Sequence, residues 1–487
     1  MVKAKMIKTI SCDVVVIGAG NAGLCAAISA AQKGKSVVIL EKSPKVNRGG
    51  NSSLTMNFRF THSNLFELCE LTDCPKQTEM LIKSKYYPYS PSNFYDDIMK
   101  SSKGMACQEL SKTLSEHSYN VIKWLYSLGH RWEVKPNILE GSVPIRIKGG
   151  GATLQEKNFS VAESLGVKIL YESKLNNIIF DNSTIAGVSF STNNTIIENN
   201  ILCKSIVLAC GGFQANSLKV AENLGFLWSN VPVRGVPFNT GEGIYAAIKA
   251  GAIFYGDKKG CHSTPQGVNI SPYSLPGDHE QVQLNSRYCF NLGITVNQVG
   301  KRFFDEGEDN PNFLYAKLGG EILKQPNRIC YQIFDSRTAA LLPKGYFVNS
   351  GMVCSNELSK LASHFGIRED TLAKEIDEFN ASIEVESSEF VKKDGLTTNG
   401  LLIPKSNWSI KIIQPPFFIC PVVTGLTFTY GGIKINEHAQ VLSSNNTPIK
   451  GLYACGEIVG GAHYHNYAGG TGLMLGSVFG YIAGKIC

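Results

Sequence analysis

Gly18, Gly20 and Gly23 stand between an apolar run, Val14 to Ile17, and a stretch of small residues, Leu24 to Lys33, that Gly34 closes. That spacing is suited to holding phosphates. Gly18 permits a sharp turn, Gly20 lets a pyrophosphate approach the backbone, and Gly23 lets helix and strand touch. The helix start, with Asn21 and Ala22, then offers unpaired N–H groups and a positive dipole end. Glu41 lies 18 residues beyond Gly23, followed by Lys42, at the end of a second apolar run from Ser36 to Leu40. A carboxylate there accepts ribose hydroxyls. Glycine pairs arise by chance in loops, so the spacing alone is weak. Strand, turn, helix, strand and acidic residue together predict a bound dinucleotide.

Two more segments could meet such a ligand. Arg48-Gly49-Gly50-Asn51-Ser52-Ser53 is a glycine- and hydroxyl-rich loop that could run along a flat cofactor and donate backbone N–H groups; in isolation it reads as a surface turn. Ser205 to Gly212 is a buried strand ending Ala209-Cys210-Gly211-Gly212, suited to a close pass beneath phosphates or adenosine.

The rest of the chain must position these pieces. Its 487 residues allow two or three domains. A net charge of +7 with no Lys/Arg run excludes a nucleic-acid tract and leaves a mild bias toward anionic ligands, solvated lysines being the plainer reading. No apolar stretch approaches a membrane span. The opening MVKAKMIKTIS leads straight into the first strand and leaves no room for a signal peptide. Fourteen cysteines, none spaced Cys-x-x-Cys, point to a reducing cytoplasm, and neither a metal nor a disulfide is expected at Cys69 and Cys74.

In order, Asn57-Phe58-Arg59-Phe60 precedes a polar region, placed on the surface to about residue 100. Helical spacing follows over 104–128, and again over 152–165 after Gly149-Gly150-Gly151. Val167 to Tyr171, Asn177 to Phe180, Ile185 to Phe190 and Thr195 to Ile201 read as a small β-meander, with turns at Asp181-Asn182 and Asn193-Asn194. Residues 258–412 change character, with a strand at Gly293 to Asn297 and helices near 312–324 and 369–384, and glycine-rich strands return after Pro415. The expected fold is α/β: a Rossmann-like dinucleotide-binding domain with a second, mixed α+β domain inserted into it. The divisions are 1–257 and 413–487 for the nucleotide domain and 258–412 for the inserted one.

Five separated segments recur in one order: Gly18-x-Gly20-x-x-Gly23 with Glu41, Arg48 to Ser52, Ala209 to Gly212, Asn239-Thr240-Gly241-Glu242-Gly243, and Gly451-Leu452-Tyr453-Ala454-Cys455-Gly456-Glu457. On these the chain resembles the flavoprotein family of fumarate reductase and succinate dehydrogenase, over nearly its whole length. Asn57 to Phe60, Gly260-Cys261-His262, Arg302 to Gly307, Tyr315-Ala316-Lys317 and His465 to Gly470 bring it nearest the tricarballylate dehydrogenase branch. The resemblance implies FAD rather than NAD, a Rossmann-like FAD-binding domain of the glutathione-reductase type, and an inserted α+β capping domain at 258–412 that closes substrate against the isoalloxazine. It assigns Glu457, after Gly456, to the ribityl chain. It also aims the last helix, from Gly470 through Gly472 and Leu473, at the flavin N1/C2=O edge, where a helix dipole stabilises the reduced ring's charge. Covalent members attach the flavin through a His in the loop that is Arg48 to Ser53 here, and this loop has none. Non-covalent FAD is therefore expected.

Desaturation beside a carbonyl, or its reverse, requires hydride transfer at flavin N5, a proton at the neighbouring carbon and a polarised carbonyl. The resemblance places the family's proton-donor arginine at Asn310 or Pro311, and replaces its carboxylate-clamp arginine by Tyr467. Neither Asn310 nor Pro311 can donate that proton. His262 and His463 match histidines around the substrate, against a purely structural role in their loops. Tyr467 could polarise a carbonyl or take a proton, or simply pack on the flavin. Arg59 is the candidate for a substrate carboxylate, against an interdomain salt bridge. His465, Arg234 and Arg287 are weaker, and Arg302 with Glu306 is expected to hold the cap together. The expectation is an FAD-dependent oxidoreductase acting on CH–CH groups, dehydrogenating or reducing a carbon–carbon bond next to a carboxylate or ketone in the manner of tricarballylate dehydrogenase, with an organic acid or enone as substrate and an external electron donor or acceptor. The alternatives are a 3-ketosteroid dehydrogenase-like enzyme acting on a neutral enone, and a non-catalytic or electron-transfer flavoprotein.

Overall fold

Val14–Ile17, buried at every residue, is an inner strand of a six-stranded sheet. It takes both neighbours in parallel, Ser205–Leu208 on one side and Val37–Leu40 on the other. β-Branched residues at every position suit a strand covered on both faces. Pro448–Ala454 and Lys168–Leu170 extend the parallel set, and Gln440–Leu442 closes one edge antiparallel. The computed structural model describes residues 9–72, 74–83, 87–135, 143–182, 184–192, 198–348, 350–388, 390 and 392–487.

The helix Asn21–Ala31 leaves the first strand through the glycine turn and lies against the terminal helix Thr471–Ile486. The contact is at backbone range: a methyl added at Gly480 would stand 2.5 Å from Ala22 O, and one at Gly484 would stand 2.3 Å from Ala26 O. Both helices open toward the same space, and Asn21 ties them by donating from Nδ2 to Leu473 O (3.1 Å) and Ser477 Oγ (2.8 Å).

Two expectations change. Lys168–Leu170, assigned to the meander, joins the parallel sheet because it follows the helix Gly150–Ser164, and a helical crossover delivers a strand parallel to its predecessor. The antiparallel meander is Ser173–Asp181, Thr184–Thr192 and Glu198–Leu202, with Thr9–Ser11 added in parallel. The turn assigned to Asn193-Asn194, with the strand start at Thr195, lies outside the described residues. The second change concerns the polar region before residue 100. It contains the helices Leu65–Thr72, Pro75–Lys83 and Pro91–Ser101, which bury Leu68, Leu71, Leu81, Phe94 and Ile98. Only one or two of the apolar residues in each helix are buried, too few to register as a periodic face.

The inserted region builds an antiparallel sheet ordered Cys261–Gly267, Phe417–Thr429, Ile329–Phe334 and Ile294–Asn297, with Val353–Ser355 also on the long strand. Phe417–Thr429, sequentially in the 413–487 segment, thus makes its hydrogen bonds with strands of 258–412. Arg302 and Glu306 form a buried ion pair at 2.6 Å beside this sheet. The helix Pro311–Leu323 lies directly on the strand Cys261–Gly267, with Ser263 Oγ donating to Ala316 O at 2.9 Å.

Candidate functional site

A cavity of about 420 Å³ runs from the glycine turn, past the ends of the parallel strands, to the inserted sheet. At one end stand Gly18, Gly20, Asn21 and Ala22. Gly23 does not reach the wall: a methyl there would stand 2.0 Å from Gly18 O, so the residue serves the close approach of helix to turn. Gly20 differs, since a methyl there meets nothing nearer than Ser52 Oγ at 3.7 Å. Glu41 lies on the wall and braces the turn, accepting from Ala19 N and Ser43 N, each at 2.7 Å. Two acceptor oxygens carry more lone pairs than those bonds use. Lys42 pairs with Glu242 at 2.7 Å and binds Thr240 Oγ1.

The 48–53 loop divides. Gly50, Asn51 and Ser52 line the cavity, with Ser52 Oγ accepting from Asn21 N at 3.1 Å. Asn51 bridges outward, its Nδ2 donating to Thr427 O (3.1 Å) and its Oδ1 accepting from Val236 N (2.8 Å). Arg48 and Gly49 do not line it. Arg48 turns away to Glu156 (2.8 Å), Glu163 (3.3 Å) and Tyr171 (2.8 Å), and lies over the Phe159 ring. Ala209, Gly211, Gly456, Glu457, Gly470, Gly472 and Leu473 are on the wall, while Gly212 sits behind it against Thr429 and Glu457. Glu457 accepts from Thr429 N at 3.2 Å, and withdrawal from water pushes its carboxyl up to about 7.

The far end is built by a bulge. His262 pairs with Phe428 and Ser263 with Leu426, leaving Thr427 as the extra residue. Bulges of this kind re-aim side chains. His262 thereby stacks on Phe428, with centroids 4.6 Å apart and planes 9° from parallel. The edge of Tyr467 meets the same imidazole at 4.7 Å, and His463 lies 5.2 Å from Tyr467. Because helix Pro311–Leu323 rides on this strand, Tyr315 Oη comes within 3.0 Å of His262 Nε2. Tyr467 Oη accepts from Gly472 N at 2.8 Å, at the positive end of the terminal helix. Burial holds the His262 imidazole well below its usual range, helped by the Arg234 charge, and takes His463 down to about 4. Both phenols are pushed up, mainly by burial. At neutral pH the cluster holds two neutral imidazoles and two protonated phenols.

Arg59, on the same wall, is 2% exposed. Its Nη1 binds Asp97 at 2.7 Å and Tyr89 Oη at 2.8 Å, and its Nε donates to Gly469 O at 3.0 Å. Asn310 accepts from Asn312 N and caps the helix that Pro311 begins. His465 is exposed, and Arg287 is fully buried away from the cavity. Tyr315, Phe428, Thr427 and Lys135 were not anticipated as wall residues. Only Tyr315 carried a signal, its Tyr-Ala-Lys context.

A family model described as an FAD binding domain matches residues 13–54 and 83–473. The chain belongs to this FAD-binding family. Among curated relatives, the NADH:fumarate oxidoreductase of Klebsiella pneumoniae is 28% identical over 497 residues, 97% of this chain and 47% of that protein, so the chain spans about half its length. The open conformation of a flavocytochrome c3 fumarate reductase superposes with a TM-score of 0.72 at 24% identity, over 98% of this chain and 78% of that one. A 3-ketosteroid-Δ4-(5α)-dehydrogenase from Rhodococcus jostii gives the same score at 20% identity, over 99% and 98%. These likenesses show the shared fold.

The FAD-binding family's cavity here suits its cofactor. Arg234 Nε, His262 Nδ1, Thr427 Oγ1, Thr429 Oγ1 and His463 Nε2 are all buried on its wall with no hydrogen-bond partner. Buried polar atoms left this way in one cavity are placed for a polar ligand. Gly18 to Ala22 would hold the pyrophosphate, Glu41 the ribose, and Glu457 with the Gly470–Leu473 turn the ribityl and ring. Among the described residues no helix is long and apolar enough to cross a membrane.

Proposed function

We propose that this FAD-dependent oxidoreductase reduces, or in reverse desaturates, a carbon–carbon bond beside the carbonyl of a small organic acid, tricarballylate-like rather than fumarate or succinate. The carrying observation is the His262–Tyr315–Tyr467–His463 cluster at the inner end of the cavity, where the terminal helix opens. Bound FAD, held non-covalently because Arg48 to Ser53 has no histidine, supplies the hydride acceptor or donor. Tyr467, fixed by Gly472 N–H, points a polarised hydroxyl at the substrate carbonyl. Neutral His262, bonded to Tyr315 Oη, exchanges the proton at the neighbouring carbon, and Phe428 excludes water from that exchange. The region 258–412, together with Phe417–Thr429, acts as the cap. Asn310 and Pro311 start a helix and carry no cation, which argues against proton delivery by arginine at that position. Fourteen free cysteines favour a cytoplasmic setting with an external electron partner.

A neutral enone is the second reading, favoured by the aromatic inner wall around His262. Anaerobic photoreduction of the holoprotein, followed by addition of enoic acids and enones, tests both. Reappearance of the oxidised-flavin spectrum with acids is the expected result. Reoxidation by no small molecule, with ready reoxidation by a redox protein, would replace catalysis with electron transfer.

A further inference from the structure

Most cations on the cavity wall have an acidic partner. Lys42 pairs with Glu242, and Arg59 pairs with Asp97 while pinning the Gly469 carbonyl. Arg234 is different. Its backbone is clamped beside the bulge, with Arg234 N donating to Leu426 O at 2.8 Å, and its side chain lines the cavity with His262 and Tyr315. Among the described residues no carboxylate pairs with it, and its Nε is buried without a hydrogen-bond partner. It also borders a smaller cavity of about 110 Å³ that includes Asp278, whose Oδ2 accepts from Leu275 N instead. Arg234 shares that wall with His262 and Tyr315, and its charge adds to the lowering of His262 and opposes the raising of Tyr315. Lys135, elsewhere on the same wall, is pushed down to about 7, chiefly by burial and then by the Arg59 and Arg146 charges.

An arginine turned into a partly closed cavity without a counter-charge has lost hydration and gained nothing in return. A carboxylate restores the balance, because the guanidinium fork matches its two oxygens. We infer that Arg234 receives a carboxylate of the substrate, so that the cavity selects anionic organic acids and Arg59 is left to hold the Gly469–Gly470 turn. The inference rests on reading this cavity as the substrate site. It sets the acid against the neutral enone as the substrate class.

The test is direct binding to oxidised holoprotein. Tricarballylate, fumarate, acrylate and 4-androstene-3,17-dione are titrated while the flavin difference spectrum is followed, with wild type, Arg234→Gln and Arg234→Lys. At least one acid should bind. Arg234→Gln should weaken it roughly 10- to 150-fold, the range for losing a hydrogen bond to a charged group, and Arg234→Lys should recover part of that. FAD content should stay at the wild-type level in both variants. Binding by none of the acids, acid binding indifferent to Arg234→Gln, or loss of FAD with unchanged acid affinity after reconstitution would each overturn the assignment. Reoxidation of the reduced protein by the steroid enone but by none of fumarate, acrylate and aconitate (the unsaturated counterpart of tricarballylate) would overturn it while leaving the proposed reaction standing. Reoxidation by neither removes the reaction itself.

Discussion

Alanine at Gly20 and at Gly23, introduced one at a time, separates cofactor approach from folding. At Gly23 the new methyl would stand 2.0 Å from Gly18 O and 3.3 Å from Ala209 Cβ, where ordinary contact begins at 3.4 Å. The obstacle is backbone, so no side chain can rotate away. Helix Asn21–Ala31 must retreat from the strand, and overpacking of this sort costs about 1–3 kcal/mol or more. At Gly20, φ is −76°, ordinary for alanine, and the nearest atoms are Ser52 Oγ at 3.7 Å and Gly49 O at 3.9 Å. The apoprotein should therefore keep its stability to within about 0.5 kcal/mol. That methyl, however, projects into the end of the cavity assigned to the pyrophosphate. Loss of about 1.4 kcal/mol of cofactor contact is a tenfold weaker Kd, so FAD affinity should fall by at least about tenfold. Urea unfolding of the apoprotein and quenching of FAD fluorescence on titration give the two quantities independently. Gly20→Ala binding FAD like wild type, or Gly23→Ala unfolding at the wild-type urea concentration, would refute the division of labour.

Further outcomes follow from the same geometry. Tyr467→Phe should retain FAD and fold normally yet lower kcat, because Gly472 N–H loses its acceptor and the carbonyl its donor; a variant with wild-type kcat would leave Tyr467 only a packing role. Glu457, whose carboxyl rises from 4.5 to about 7 in the folded chain, contributes stability present below about pH 4.5 and lost as pH rises through 7. On the order of 2 kcal/mol is at stake once cavity water is allowed for, and apo Glu457→Gln should unfold in urea with that part of the pH slope removed. Glu306→Ala leaves Arg302 buried and unpaired, which should cost about 3–5 kcal/mol; a smaller loss by equilibrium unfolding would mean that water reaches the pair.

What the sequence determined alone was local. Three glycines, a β-branched run and an acidic residue specify the strand, turn and helix that line one end of the cavity, through steric and hydrogen-bonding rules that act within about thirty residues of chain. Lys168–Leu170 and the helices Leu65–Thr72, Pro75–Lys83 and Pro91–Ser101 were misread because few of their residues are buried and their partners lie far along the chain. The sequence named His262, His463 and Tyr467 separately, but how they meet at the far end of the cavity belonged to tertiary structure. A bulge at Thr427 sets His262 on Phe428, and close packing of helix on strand carries Tyr315 to His262. Arg59 and Arg234 are both plain arginines in the sequence. Only the folded chain gives one an aspartate at 2.7 Å and leaves the other facing the cavity, because the energy of a charge depends on what surrounds it.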